Sequence, residues 1–288
     1  MKKPQWITVA AGILLVVAIY SFGKTIPPKK KSSVENQHSE NDGHDHGAVP
    51  TISFDSLLTA AKLQIKPEQV TRLNALENSI SRGDVKNQQL QVYHQLAHFW
   101  RDSAHKFEPY AWYEAESARL ENSEKTLTFA AHLFLENLQN EADPKLRKWK
   151  ALQAKDLFER SLTLNPANDS AKVGIGACYI FGGISVAPME GISKIREVVE
   201  KDSTNLYAQT TLVKGLVISG QFDKAITRLQ TIHRLQPSDA EVMLLIADLY
   251  ERIGEKGNAI KWYEKTLELK PPAELRKALE DRIAELKK

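Results

Sequence analysis

Two stretches near the end of the chain repeat one pattern at a fixed spacing. The first reads FDKAITRLQTIHRLQP over 222–237, and the second reads KGNAIKWYEKTLELKP over 256–271. A glycine stands just before each stretch, Gly220 in one and Gly254, 34 residues later, in the other. A repeat of this length predicts a stack of helical units, because a single unit cannot bury its own apolar face.

Small residues carry the same repeat further back along the chain. Counting back from Ala259 gives Ala225, Gly191 and Ala154, at spacings of 34, 34 and 37. A small side chain at this position lets two helices approach closely, so we expect each of these residues to lie in the second helix of a hairpin. We expect glycine to form the turn inside the hairpin and proline to follow its second helix.

The pattern resembles the tetratricopeptide repeat, and the segment 240–271 fits it best. There the family positions are filled by Met243, Ile246, Ala247, Tyr250, Gly254, Ala259, Tyr263 and Pro271, with Thr266 departing. Units at 206–237 and 169–203 fit less closely, and the latter carries three extra residues. The resemblance implies an all-α fold, a right-handed superhelix of helical hairpins.

This resemblance divides the chain into regions. It covers 150–272 strongly, and we expect a helical region of degenerate hairpins at 53–149, where Leu96-Ala97 and Ala130-Ala131 repeat the first-helix pattern 34 residues apart. Segment 273–288 alternates charge around spaced leucines and predicts a capping helix with a polar outer face.

The amino terminus, 1–23, predicts a membrane segment. Two lysines precede an uncharged apolar run from Trp6 to Phe22, 17 residues that reach the short end of what spans a bilayer. A cleaved signal peptide is the alternative. The Met-Lys-Lys start favours a single-pass protein with an exported body, whereas the lysines at 29–31 favour a cytoplasmic one.

The stretch 24–52 has few apolar residues and predicts a disordered tether. It contains His38, His44 and His46 among acidic residues, a weak candidate for metal binding. A segment of this kind lacks the outer hydrogen bonds that hold true ligands, so no metal or other cofactor is expected.

Charge and motifs exclude several functions. The net charge is +3 and the basic residues alternate with glutamates, which argues against nucleic acid as a partner. The single cysteine, Cys178, excludes an internal disulfide and predicts a buried structural thiol. No catalytic motif is present, so we expect a protein that is not an enzyme; His94 and His98 are a weak metal pair on one predicted helix.

The resemblance implies that a partner protein or peptide binds on the concave face, formed by the first helix of each unit. The residues it places there are Val173, Ala177, Ile180, Phe181, Tyr207, Thr210, Lys214, Val217, Glu241, Leu244, Asp248, Glu251 and Arg252. We therefore expect a membrane-anchored adaptor or scaffold for complex assembly. The alternatives are a chaperone-like accessory to exported or membrane complexes, for example in cytochrome maturation, and, more remotely, an enzyme with a site in 53–150.

Overall fold

The structure is a computed structural model that describes residues 52–80, 86–184 and 188–288. These residues form 13 α-helices and one short π-helical segment, Phe99–Ser103, without strands. They belong to one compact unit, Ala48–Lys288. The predicted anchor at 6–22 and the three tether histidines lie outside the described ranges.

The described helices follow one another with short connections. In chain order they are α1 (Phe54–Lys62), α2 (Pro67–Ile80), α3 (Lys86–His98), α4 (Phe107–Glu121), α5 (Glu124–Leu138), α6 (Pro144–Leu164), α7 (Asp169–Phe181), α8 (Met189–Lys201), α9 (Leu206–Ile218), α10 (Phe222–Leu235), α11 (Ala240–Arg252), α12 (Lys256–Glu268) and α13 (Ala273–Leu286).

Consecutive helices pair into hairpins, as the repeat predicts. Helices α5 and α6, α7 and α8, α9 and α10, and α11 and α12 pack against each other, and α13 packs on α12 at the end. Each first helix also contacts the second helix of the hairpin before it. The all-helical solenoid is therefore confirmed, and the units at 169–203, 206–237 and 240–271 each contain one hairpin.

The turns inside the last two hairpins depend on glycine. Gly220 and Gly254 have φ angles of 72° and 81°, a left-handed conformation that strains any residue with a Cβ. After α9 the N–H of Gln221 donates to the carbonyl of Leu216 at 2.8 Å, and the equivalent bond after α11 is also 2.8 Å long. These bonds satisfy carbonyls at the helix end in the same way twice.

The first helices begin on matching caps. Asn168, Asn205 and Asp239 precede α7, α9 and α11, and each side chain accepts a hydrogen bond from a backbone N–H in the first turn, for example Asn205 from Ala208 at 3.0 Å. Such a cap satisfies one N–H that the helix leaves without a partner.

The small residues of the second helices lie in close contacts. Ala154, Ala225 and Ala259 are fully buried. Gly191 of α8 lies so near α7 that a Cβ added to Gly176 would be 2.8 Å from the Gly191 carbonyl oxygen. The predicted close approach of the paired helices is therefore present in this hairpin.

Helix α6 is longer than the other described helices. It runs over 21 residues without a break, and buried residues on one face, from Trp149 to Phe158, keep it packed along its length. The predicted division between residues 149 and 150 thus falls inside one helix, and the packing continues across it. Within the described ranges no helix is both long enough and apolar enough to cross a membrane.

Candidate binding groove

A cavity of about 610 Å³ opens along the first helices of the solenoid and is called the groove below. Helices α7, α9 and α11 contribute to its wall, together with the end of α5 and the start of α6. Its lining residues are Leu138, Gln139, Arg147, Ile180, Phe181, Val213, Lys214, Val217, Ile218 and Leu245. This volume lies within the range of sites that bind small ligands or peptide side chains.

The groove combines apolar surface with positive charge. Ile218 is 58% exposed and Leu245 is 37% exposed, so large apolar side chains remain open to solvent here. Lys214 and Arg147 supply the charge, and no acidic residue among those described lines the groove. Its chemistry suits an apolar group that lies next to a negative one.

Lys214 bridges the groove to a distant loop. Its Nζ donates to Oε1 of Gln139 at 3.2 Å, which joins α9 to the connection between α5 and α6. In the part of the chain that the structure describes, Lys214 forms no ion pair with a carboxylate. Its charge is thus available to a ligand, because an amide oxygen leaves the ammonium group uncompensated.

A buried lysine fixes the loop that forms this wall. Lys150 is 2% exposed, and its Nζ lies 2.6 Å from the Glu141 carboxylate and 3.1 Å from that of Glu108. Burial alone would raise the pKa of Glu141, but the hydrogen bond from Lys150 and those from nearby backbone N–H groups keep that pKa below its ordinary value. The Nε of Arg147 also donates to the Glu141 carbonyl oxygen at 2.9 Å.

The structure brings only part of the predicted lining together. Lys214 and Val217 lie in the groove with Ile180 and Phe181. Val173 and Ala177 are buried, with 0% and 1% of their surface exposed, so neither contacts a partner. The expectation for these two residues was wrong because α7 packs between α5 and α9.

Tyr207 and Thr210 lie nearer the start of α9. The Tyr207 ring packs edge-on against His132, with 5.6 Å between the ring centroids, and remains 38% exposed. His132 also bonds Ser170 of α7 at 2.8 Å, and burial lowers its pKa. Thr210 is exposed on α9. Neither residue is among those that line the groove.

The predicted residues of the last repeat are mostly engaged elsewhere. Asp248 and Arg252 pair with each other at 2.9 Å along α11. Glu251 accepts a hydrogen bond from the Tyr263 hydroxyl at 2.6 Å and pairs with Arg282 of α13. The Glu251 carboxylate therefore attaches the final helix to the stack.

Two further residues of this repeat were predicted in the lining. Leu244 is partly buried against the apolar cluster beneath α13, and Glu241 is exposed in the first turn of α11. The groove residue that α11 does supply, Leu245, is adjacent to Leu244 and was not predicted.

Most of the other groove-lining residues that the sequence analysis did not predict lie outside the aligned repeat positions. Leu138, Gln139 and Arg147 belong to the α5–α6 connection and its flanks, which have no counterpart in the other units. Ile218 directly follows Val217, which was predicted in the lining. Its position at the end of an apolar helix was the one sequence feature that could have predicted its exposure.

The histidine pair and the cysteine show no catalytic arrangement. His94 bonds Ser117 at 3.2 Å, whereas His98 bonds Asp102 at 3.3 Å, so the two rings have separate partners. Among the described residues there is no group of three side chains that could hold a metal ion. Burial raises the pKa of Cys178 to about 12, which leaves the thiol protonated and unreactive.

The sequence of the last hairpin is similar to a known family. Residues 240–272 match the tetratricopeptide repeat family. No curated protein matches the sequence of the chain.

Several solved structures are similar to parts of this chain. A MamA fragment from Desulfovibrio magneticus RS-1 is 20% identical, with a TM-score of 0.46, over 65% of this chain and 96% of the other. A tetratricopeptide repeat protein from Parabacteroides merdae ATCC 43184 is 15% identical, with a TM-score of 0.47, over 80% and 85%. YrrB, described as a TPR protein with an unusual peptide-binding site, is 15% identical, with a TM-score of 0.46, over 72% and 98%.

Proposed function

We propose that this chain is a protein-interaction adaptor that holds a segment of a partner protein in the groove. The observation that carries the proposal is the groove itself, where exposed Ile218 and Leu245 stand beside Lys214 on consecutive repeats. Apolar side chains that gather in a concave surface favour a binding partner, because covering them removes apolar area from water.

The lining indicates the chemistry of the segment. An apolar side chain of the partner would contact Phe181, Val217 and Ile218, and burying such a side chain contributes about 1.5–3 kcal/mol. A carboxylate next to it would meet Lys214 and Arg147. The partner segment is thus an apolar residue with acidic neighbours.

We also propose that the adaptor is attached to a membrane. The support is the apolar run from Trp6 to Phe22, flanked by lysines. With the array on the exported side, its partners would be proteins of that compartment. A phosphatase that is active only after export, fused to Lys288, tests this side: activity supports it, and activity of a cytoplasmic reporter instead contradicts it.

The groove is tested with synthetic peptides and the full chain. Two fluorescent peptides share a Leu-Phe core, one flanked by Asp and the other by Lys, and their Kd values are measured by anisotropy. The Asp peptide should bind about tenfold more tightly, which corresponds to roughly 1.4 kcal/mol of charge interaction.

Charge reversal makes the test specific. Lys214→Glu should abolish the preference for the Asp peptide, because the new carboxylate offsets the positive charge of Arg147. Lys261→Glu is the matched control, because Lys261 is exposed on the second helix α12, outside the groove. Equal binding of both peptides by the parent chain, or an equal effect of the two substitutions, would contradict the proposed site.

A further inference from the structure

A second cavity, of about 250 Å³, lies between the second helices α8 and α10 and is called the basic pocket below. Arg196 of α8 and Lys224 and Arg228 of α10 line it. Its apolar part consists of Leu212 and Leu216 of α9, which are 1% and 2% exposed. The basic pocket shares no lining residue with the groove.

Three positive charges gather here without a negative one. Lys224 and Arg228 are four residues apart and so lie on one face of α10. Two like charges at this spacing repel each other and destabilise the helix. Arg196 approaches from the neighbouring helix. No carboxylate lines the pocket among the described residues, so the mutual repulsion is not offset inside it.

The two arginines differ from the other arginines that the structure describes, each of which has a partner. Arg119, Arg160 and Arg282 each lie within about 3 Å of a carboxylate. Arg196 and Arg228, although half-buried, form no ion pair or hydrogen bond with any residue that the structure describes. Among the described residues, Lys224 donates to the Gln221 side-chain oxygen alone, at 2.8 Å. Partly desolvated cations without partners favour an anion.

We infer that the basic pocket binds a phosphate group, as inorganic phosphate or as a small organic phosphate ester. The guanidinium fork donates two N–H groups to adjacent oxygens of such an anion, and two arginines from different helices can bind it from two sides. A phosphate dianion offsets three cations better than a carboxylate does. The cavity volume of about 250 Å³ leaves room for the organic part of a small ester.

The inference is tested by calorimetry on the full chain at constant ionic strength, with chloride replaced by inorganic phosphate or by phenyl phosphate. Saturable binding of at least one of them is expected. Binding of phenyl phosphate about tenfold tighter than phosphate would show that the leucines contribute and that an ester is the ligand. Equal binding would identify the free anion as sufficient.

Substitutions connect the binding to the pocket. Arg196→Gln and Arg228→Gln should each weaken phosphate binding by about tenfold or more, because each removes charge-assisted hydrogen bonds. Arg234→Gln is the matched control on α10, since Arg234 is exposed and donates to Thr231 instead. Without phosphate, neither pocket variant should melt below the parent chain, because each relieves repulsion.

Three results would overturn the inference. The first is that neither inorganic phosphate nor phenyl phosphate binds saturably. The second is that Arg234→Gln weakens phosphate binding as much as the pocket variants do. The third is a lower melting temperature for the pocket variants in phosphate-free buffer. The last result would show that the arginines stabilise the fold rather than hold a ligand. None of these results bears on the groove, because the groove and the basic pocket share no lining residue. Failure of this inference can therefore be distinguished from failure of the proposed function.

Discussion

Replacing Gly191 by alanine has two opposing effects on stability: alanine favours the helix, but its Cβ has no room beside the neighbouring helix. Alanine occupies the equivalent position in the following hairpins, at Ala225 and Ala259, so the sequence pattern alone predicts that Gly191→Ala stabilises the chain. The structure predicts the reverse. A Cβ on Gly191 would collide with the carbonyl oxygen of Gly176 and lie 2.8 Å from Cγ1 of Ile180.

The magnitude follows from the two opposing contributions. Alanine gains up to about 1 kcal/mol over glycine inside a helix. Overpacking costs about 1–3 kcal/mol, and the upper half of that range applies because the obstacle is backbone and not a flexible side chain. The free energy of unfolding should thus fall by about 1–2 kcal/mol, which lowers the Tm of a domain of this size by about 2–8 °C.

Gly257→Ala is the matched control. Gly257 also lies in the first turn of a second helix, and a Cβ there has no atom within 4 Å. Thermal unfolding of the full chain, followed by circular dichroism at 222 nm, should show an unchanged or higher Tm for Gly257→Ala and a lower one for Gly191→Ala. An increase of equal size in both variants would refute the close approach of α7 and α8.

Three further predictions concern charge and burial. The hydrogen bond from Arg282 lowers the pKa of Glu251. The pair therefore contributes to stability above the ordinary carboxyl pKa, and this contribution is lost as the pH falls through the lowered pKa. Glu251→Gln should lower the Tm at pH 7 and have no effect well below pH ~4. Cys178 should react with a thiol reagent at pH 8 only after unfolding in guanidinium, and rapid labelling of the folded chain would contradict its burial. Lys150→Ala should cost about 3 kcal/mol in urea unfolding, because it removes a buried ammonium group and leaves the partly buried carboxylates of Glu108 and Glu141 without it. Lys155→Ala, which removes the more exposed pair with Glu159, should cost under about 0.5 kcal/mol; similar costs would contradict this.

The sequence predicted the fold well where the chain repeats itself. Gly220 and Gly254 form the turns, and Ala225 and Ala259 lie in the contact between paired helices. Each of these positions has a local physical requirement, a positive φ angle or a short side chain, which residue identity reveals.

The site was less predictable because it depends on contacts between distant segments. Gln139 and Lys214 meet across 75 residues of sequence, through a loop that occurs in only one unit. Val173 is buried and Glu251 is bonded to the final helix, although both occupy positions that the family pattern assigns to the concave face. Repeat position indicates a face of a helix, but the neighbouring helices decide whether that face is open.

The most direct test of the adaptor compares two exposed apolar residues that each end a helix. Ile218 ends α9 in the groove, and Leu235 ends α10 outside it. We would measure the Kd of the Asp-flanked Leu-Phe peptide for Ile218→Glu and Leu235→Glu in the full chain. The groove predicts a loss of about tenfold or more for Ile218→Glu and no change for Leu235→Glu; equal affinities in both variants and the parent chain would contradict it.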